Sequence, residues 1–125
     1  MNTNLRTETE QVIFQSGAGG YREYRIPGIL PLADGALLLA CESRAENKGD
    51  WGDIDIAIWR REKDGALVRV LRSGQSQLPP DGSMRTYNNP VLVPDRQNVH
   101  LLYHFNYERA FICSSEDGGH TWGEA

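Results

Sequence analysis

Lysine is scarce in this sequence. Of thirteen basic residues, Lys48 and Lys63 are the two lysines and the other eleven are arginines. The net charge of −4 withholds the basic face that broad nucleic-acid binding needs, so no nucleic-acid partner is expected. No apolar run approaches the ~18 residues of a membrane span. The first ten residues are polar, with Arg6, Glu8 and Glu10 among them, which excludes a signal peptide there. Cysteine is equally sparse. Cys41 and Cys113 lie 72 residues apart, each in an apolar run, and read as buried free thiols of a reducing compartment. The expectation therefore leans to a cytoplasmic protein. Helical periodicity bounded by caps is missing from every longer stretch. So are a phosphate-binding loop and a Ser-His-Asp order. His100 and His104 share a strand face without a third ligand at metal spacing, so neither a metal nor a cofactor is expected.

What is present is a soluble composition, 39% hydrophobic and 24% charged, over 125 residues, enough for one domain. The arginine excess has two readings, genomic base composition or forked recognition of carboxylates, which a planar guanidinium suits better than an ammonium. Short apolar runs at 11–15, 26–32, 36–42, 54–61, 66–71, 90–94, 99–105 and 110–114 predict strands. Ile54, Ile56 and Ile58 fall on one face at period two, with Asp53, Asp55 and Trp59 opposite. Between the runs stand Gly17-Ala18-Gly19-Gly20, Asp34-Gly35, Lys48-Gly49-Asp50, Asp64-Gly65, Pro80-Asp81-Gly82 and Asp117-Gly118-Gly119. Asp-Gly between apolar runs signals a hairpin, because Gly accepts positive φ and Asp caps the turn. The chain reads as all-β.

One turn is richer than the others. Residues 115–122, Ser-Glu-Asp-Gly-Gly-His-Thr-Trp, have the form Ser-x-Asp-x-Gly-x-Thr-Trp, with His120 at a variable position. Ser and Asp oxygens can accept turn N–H groups, Gly permits the reversal, and Trp packs beneath. The octapeptide resembles the Asp-box of sialidase-like β-propellers, a folding device with no chemistry of its own. A degraded copy stands at Arg61-Glu62-Lys63-Asp64-Gly65. The two aspartates, Asp64 and Asp117, are 53 residues apart, close to the ~50 residues of one four-stranded blade.

Two further motifs extend the resemblance over nearly the whole chain. Tyr24-Arg25-Ile26-Pro27 and Gly49-Asp50-Trp51-Gly52-Asp53-Ile54-Asp55, followed by the octapeptide, resemble in order the N-terminal part of an exo-α-sialidase (neuraminidase). The resemblance implies a six-bladed β-propeller, of which residues 1–125 would form the first two four-stranded blades, at about 12–72 and 85–125. It implies hydrolysis of terminal sialic acid from sialylated glycans or glycoconjugates, with retention.

By the same resemblance, Arg25 is the first member of an arginine triad that grips the substrate carboxylate; a structural salt bridge is the plain alternative. Asp50 is the general acid/base, with Glu46, Asp53 and Asp55 as charged neighbours in its loop. Asp53 is its runner-up, and an ordinary turn aspartate is the plain reading of Asp50. Arg44 matches an arginine that meets the far side of the sugar ring. Glu42, on the same strand face, either orients an arginine or forms a surface ion pair. Asn89, in Asn89-Pro90, matches the segment that meets the N-acyl group, though Pro90 could simply end strand pairing.

The tyrosine nucleophile, its glutamate and two further arginines would come from later blades; Tyr103 and Tyr107 match no nucleophile motif. The 125-residue chain alone is therefore expected to be inactive, with unpaired sheet edges and exposed apolar faces. A non-catalytic Asp-box propeller that binds glycans or proteins is the alternative, and a small carbohydrate-binding β-sandwich the third reading.

Overall fold

A computed structural model describes residues 10–46, 49–72 and 85–125, with the backbone alone at 71 and 72. The turn signal at Pro80-Asp81-Gly82 and the first residue of Lys48-Gly49-Asp50 lie outside the described residues. The chain is all-β. Strands β1 (Glu23–Pro31), β2 (Leu37–Arg44), β3 (Ile54–Arg61) and β4 (Leu67–Arg72) form one antiparallel sheet in sequence order. Strands β5 (Tyr87–Asp95), β6 (Asn98–Phe105) and β7 (Arg109–Ser115) form a second. A 3-10 turn, Ala18–Gly20, precedes β1, and no described helix is long and apolar enough to cross a membrane.

Local chemistry accounts for the hairpins. Asp34 Oδ1 accepts the Ala36 N–H at 3.0 Å and Asp64 Oδ1 accepts the Ala66 N–H at 2.9 Å, while Gly35 and Gly65 take φ of 87° and 95°. The two Asp-Gly-Ala turns are thus the same device. Asp64 does follow the third strand of its sheet, as Asp117 does. Its turn nevertheless repeats the Asp34 turn rather than the wider Asp117 loop described below.

Alternation places the core between the sheets. Leu38 and Ala40 of β2, with Ile56 and Ile58 of β3, are fully buried against Tyr87, Val99, Leu101, Tyr103, Phe105 and Cys113 of the second sheet. The period-two reading of Ile54, Ile56 and Ile58 therefore names the packed face of β3. Burying one such side chain contributes about 1.5–3 kcal/mol. The far side of the second sheet leaves Val91, Val93, Leu102 and Ile112 exposed, with Val91, Leu102 and Ile112 in register across three strands.

Two expectations are corrected. Residues 11–15 are not a strand. Phe14 instead stacks on Tyr24 of β1 with ring centroids 5.3 Å apart, and meets the edge of Trp59 of β3 at 6.1 Å. Those rings stand on strands separated by β2, so the segment crosses the face of the sheet. An aromatic ring gains more by covering that face than its backbone would by pairing at an edge. The repeat is also not a uniform 53 residues. The kinked first strands place Arg25 and Asn88 at equivalent positions, 63 residues apart.

Candidate functional site

The site grows from the end of the packed face. Leu38 and Ala40 on β2 are followed, at the same two-residue step, by Glu42 and Arg44. Arg25 lies opposite Glu42, and Glu23 opposite Arg44, in the β1–β2 register. Cross-strand partners share a face, so four charged side chains continue a face that begins as hydrophobic core.

A bulge aims Arg25. One extra residue in β1 shifts the register between Arg25 and Gly28, and Ile26 takes a φ of 55°. A β-branched residue in the left-handed region is strained by about 1–3 kcal/mol, and such strain gathers at functional sites. Beyond the bulge the Arg25 side chain is half exposed, with Nη1 3.7 Å from Asp50 Oδ1.

Arg44 is the opposite case. Its side chain is 1% exposed, and its donors are engaged on every side. Glu42 Oε2 accepts from Nη2 at 2.6 Å and from Nε at 3.1 Å. Nη2 also donates to Asp50 Oδ1 at 2.9 Å, and Nη1 to the Gly49 carbonyl at 2.8 Å. Glu23 Oε1 stands 3.5 Å from Nη1. Burial pulls the guanidinium pKa down, but hydrogen bonds to Glu42 and Asp50 outweigh it and the net direction is up. Glu42 is itself 1% exposed, so the pair is an interior ion pair, not a surface one.

Asp50 sits on the loop 45–53 with its side chain 72% exposed, bridging the free guanidinium of Arg25 and the buried one of Arg44. The second sheet holds this loop. Tyr107 donates its hydroxyl to the Asp50 carbonyl at 2.9 Å, and Asn88 Nδ2 lies 3.4 Å from the same oxygen. Thr86 Oγ1 accepts from the Gly52 N–H at 3.1 Å and donates to the Gly52 carbonyl at 2.6 Å. Asp53 is turned elsewhere, 3.6 Å from Arg85 Nε, and Asp55 faces the same atom while accepting from the Tyr21 hydroxyl at 2.7 Å.

Asn89 lies in the equivalent bulge of β5, with φ of 56°. Its N–H donates to Glu42 Oε1 at 3.0 Å and its exposed amide meets His104 Nδ1 at 3.3 Å. Asn88 beside it is buried, donates to Glu42 Oε1 at 3.3 Å, and has no partner for its own Oδ1 among the described residues. His100 is engaged by the Ser114 hydroxyl at 2.6 Å.

Burial pushes the Tyr103 hydroxyl up to about 12. The Tyr107 hydroxyl is also raised, first by desolvation and then by the negative charges of Asp50 and Glu42. Neither side chain is an easily ionised phenol.

The octapeptide turn closes on itself, far from Asp50 in the chain. Asp117 Oδ1 accepts from the Ser115 hydroxyl at 2.8 Å and the Thr121 N–H at 2.9 Å, and Asp117 Oδ2 accepts from the Thr121 hydroxyl. Ser115 Oγ accepts the Gly119 N–H at 2.8 Å, and Trp122 Nε1 donates to the Gly119 carbonyl at 3.2 Å.

The structure thus brings Arg25, Arg44, Asp50 and Glu42 together, puts Asn89 at their edge, and sends Asp53 to Arg85. Sequence reasoning missed Glu23, Thr86, Asn88 and the tether from Tyr107. Strand alternation from Arg25 could have found Glu23; the other contacts cross between sheets and leave no local signal.

No protein-family model matches the chain. It is similar over 91% of its length to the sialidase of Micromonospora viridifaciens, at 27% identity, covering 21% of that protein. It is similar over 82% of its length to the exo-alpha-sialidase of Arthroderma benhamiae, at 28% identity, covering 24% of that protein. The chain spans about a fifth to a quarter of the length of the curated relatives it matches. Over most of its residues, this chain bears a sialidase-like relationship to known proteins.

Proposed function

We propose that the chain is the N-terminal part of a retaining exo-α-sialidase, with its two sheets as the first two blades of a six-bladed propeller and sialylated glycans as its substrates. The observation that carries this reading is the position of the Asp50 carboxylate, shared between one exposed and one buried guanidinium.

The geometry fits the chemistry. Arg25 is held at its base by the bulge and free at its tip. Its present partner is a long, half-exposed contact of the kind that contributes about 0–1 kcal/mol, so an incoming carboxylate can replace it. A bidentate grip there fixes the anomeric carbon. Asp50 then protonates the leaving glycosidic oxygen and later takes a proton from the attacking water.

Arg44 acts on the ring only after Asp50 shifts toward the substrate, since Asp50 occupies a donor of its Nη2. Asn89, exposed at the rim, meets the N-acyl group. The nucleophile and the rest of the arginine triad come from later blades, and the 125-residue chain alone is inactive. The non-catalytic alternative draws support from the saturation of Arg44, which a purely structural ion cluster would also show.

The test is release of sialic acid from sialyllactose, whose leaving sugar hydroxyl must be protonated, by the protein that includes the following reading frame. Asp50→Asn lowers the rate by about 10²–10⁴-fold, the usual contribution of a positioned acid/base, whereas Asp53→Asn lowers it far less. Equal losses, or no hydrolysis by the unaltered protein, would overturn the reading in favour of the binder.

A further inference from the structure

Beside the charged cluster lies an aromatic surface with no part in the chemistry above. Trp51 and Tyr107 stack with ring centroids 6.0 Å apart and planes 20° apart. The two residues are 49% and 51% exposed. They come from different sheets, Trp51 from the loop 45–53 and Tyr107 from the turn between β6 and β7. Tyr107 also meets the ring of His104 at 6.4 Å. The pair is therefore backed on the Tyr107 side.

Tyr107 occupies a place that chemistry would assign to glycine. Asn106 and Tyr107 have φ of 51° and 57°, and the Glu108 N–H donates to the Phe105 carbonyl at 3.1 Å. Two successive positive φ values are the mark of a type I′ turn, whose preferred pair is Asn-Gly. Asn106 satisfies its half: its Oδ1 accepts the Thr86 N–H at 2.8 Å. A tyrosine at the second position is strained by about 1–3 kcal/mol, and exposed strain of this kind points to a role for the side chain.

We propose that Trp51 and Tyr107 form a stacking platform for the pyranose to which the sialic acid is attached. The inference rests on the reading of Asp50 as the acid that protonates the glycosidic oxygen. The leaving sugar must then depart past Asp50. Trp51 is its chain neighbour, and the Tyr107 hydroxyl is bonded to its carbonyl. A pyranose presents one face of C–H bonds, weakly positive at hydrogen, which matches the negative face of an indole. The platform supplies affinity for the aglycone sugar without touching the carboxylate grip.

The test titrates the protein that includes the following reading frame, its hydrolysis slowed by Asp50→Asn, with methyl α-sialoside and with sialyllactose, following the Trp51 indole Nε1–H resonance by NMR. Trp51→Phe assigns that resonance. Sialyllactose is expected to bind about three- to tenfold tighter than methyl α-sialoside, the range of one aromatic stacking contact, with Trp51 the indole that shifts. Trp51→Ala should remove that difference and leave methyl α-sialoside unchanged, which also shows that the variant is folded. Tyr107→Gly, which relieves the backbone, should reduce the difference as well. Equal affinities with Trp51 in place, or a difference that survives Trp51→Ala, would overturn the platform alone. Failure of both ligands to bind would overturn the carboxylate reading at Arg25 and the platform with it.

Discussion

The first three strands of the four-stranded sheet and the three-stranded sheet share a plan and differ most at one loop. Each begins with a strand bulged just before a proline, at Arg25-Ile26-Pro27 and at Asn88-Asn89-Pro90, with Ile26 and Asn89 at nearly the same positive φ. Each third strand ends in an aspartate turn. From Arg25 to Asp64 there are 39 residues, but from Asn88 to Asp117 only 29. Most of the difference arises between the second and third strands, where the first sheet has the loop 45–53 and the second has the tight turn 106–108. The longer loop carries Asp50. Where the first sheet pairs Arg25 with Glu42, the second pairs Asn88 with His104. The lesson is that the shared parts are scaffold, and charge together with one lengthened loop sets the candidate site in the first sheet apart.

The comparison breaks most readily at those equivalent pairs. Glu42→Ala leaves Arg44 buried without its main partner and should destabilise the chain by about 3–5 kcal/mol. The matching His104→Ala, in a half-exposed position, should stay within about 0.5 kcal/mol. Urea unfolding followed by circular dichroism checks both, and similar losses would erase the distinction between the sheets.

The aspartate turns sharpen the comparison through pH. Hydrogen bonds from the Thr121 hydroxyl and N–H, then from Ser115, hold the Asp117 carboxyl well below the usual carboxylate range. The Ala36 N–H, and then Arg60, lowers Asp34 in the first sheet. A lowered folded-state pKa adds stability that is complete above the unfolded value near ~3.9 and is lost as pH falls through the folded one. Stability should therefore decline below about pH 4, and Asp117→Asn should flatten that decline more than Asp34→Asn. Acid titration of the far-ultraviolet signal reads the order; the reverse order would mean that the octapeptide network does not dominate.

The smallest effect concerns the thiols, one in each sheet. Burial pushes Cys41 and Cys113 up to about 11. Both should stay silent to a thiol-disulfide reagent at pH 8 until the chain unfolds. Rapid labelling of one alone would show that its sheet opens locally.

Much of the fold was legible because strand burial has period two and Asp-Gly turns have a local cause. The inward face of β3 and the hairpins at Asp34 and Asp64 follow from residues a few positions apart. The segment 11–15 misled because a short apolar run such as Val12-Ile13-Phe14 looks the same whether a strand pairs at an edge or drapes a ring across a face. The candidate site was legible in part. Arg25, Arg44 and Asp50 stood out through motif resemblance, and the two guanidiniums meet at the Asp50 carboxylate. Asn88 and Tyr107 were invisible as supports, since each acts across the gap between sheets.

By itself, then, the sequence determined the all-β chain, its hairpins, the packed face of β3 and the wealth of arginine. Each rests on periodicity or on hydrogen bonds within one turn. Only the tertiary structure decided that Arg44 is buried and Arg25 is not, that Asp53 turns to Arg85, and that Trp51 meets Tyr107. Those outcomes depend on which groups from distant strands remove water from which charges, and no local pattern encodes that.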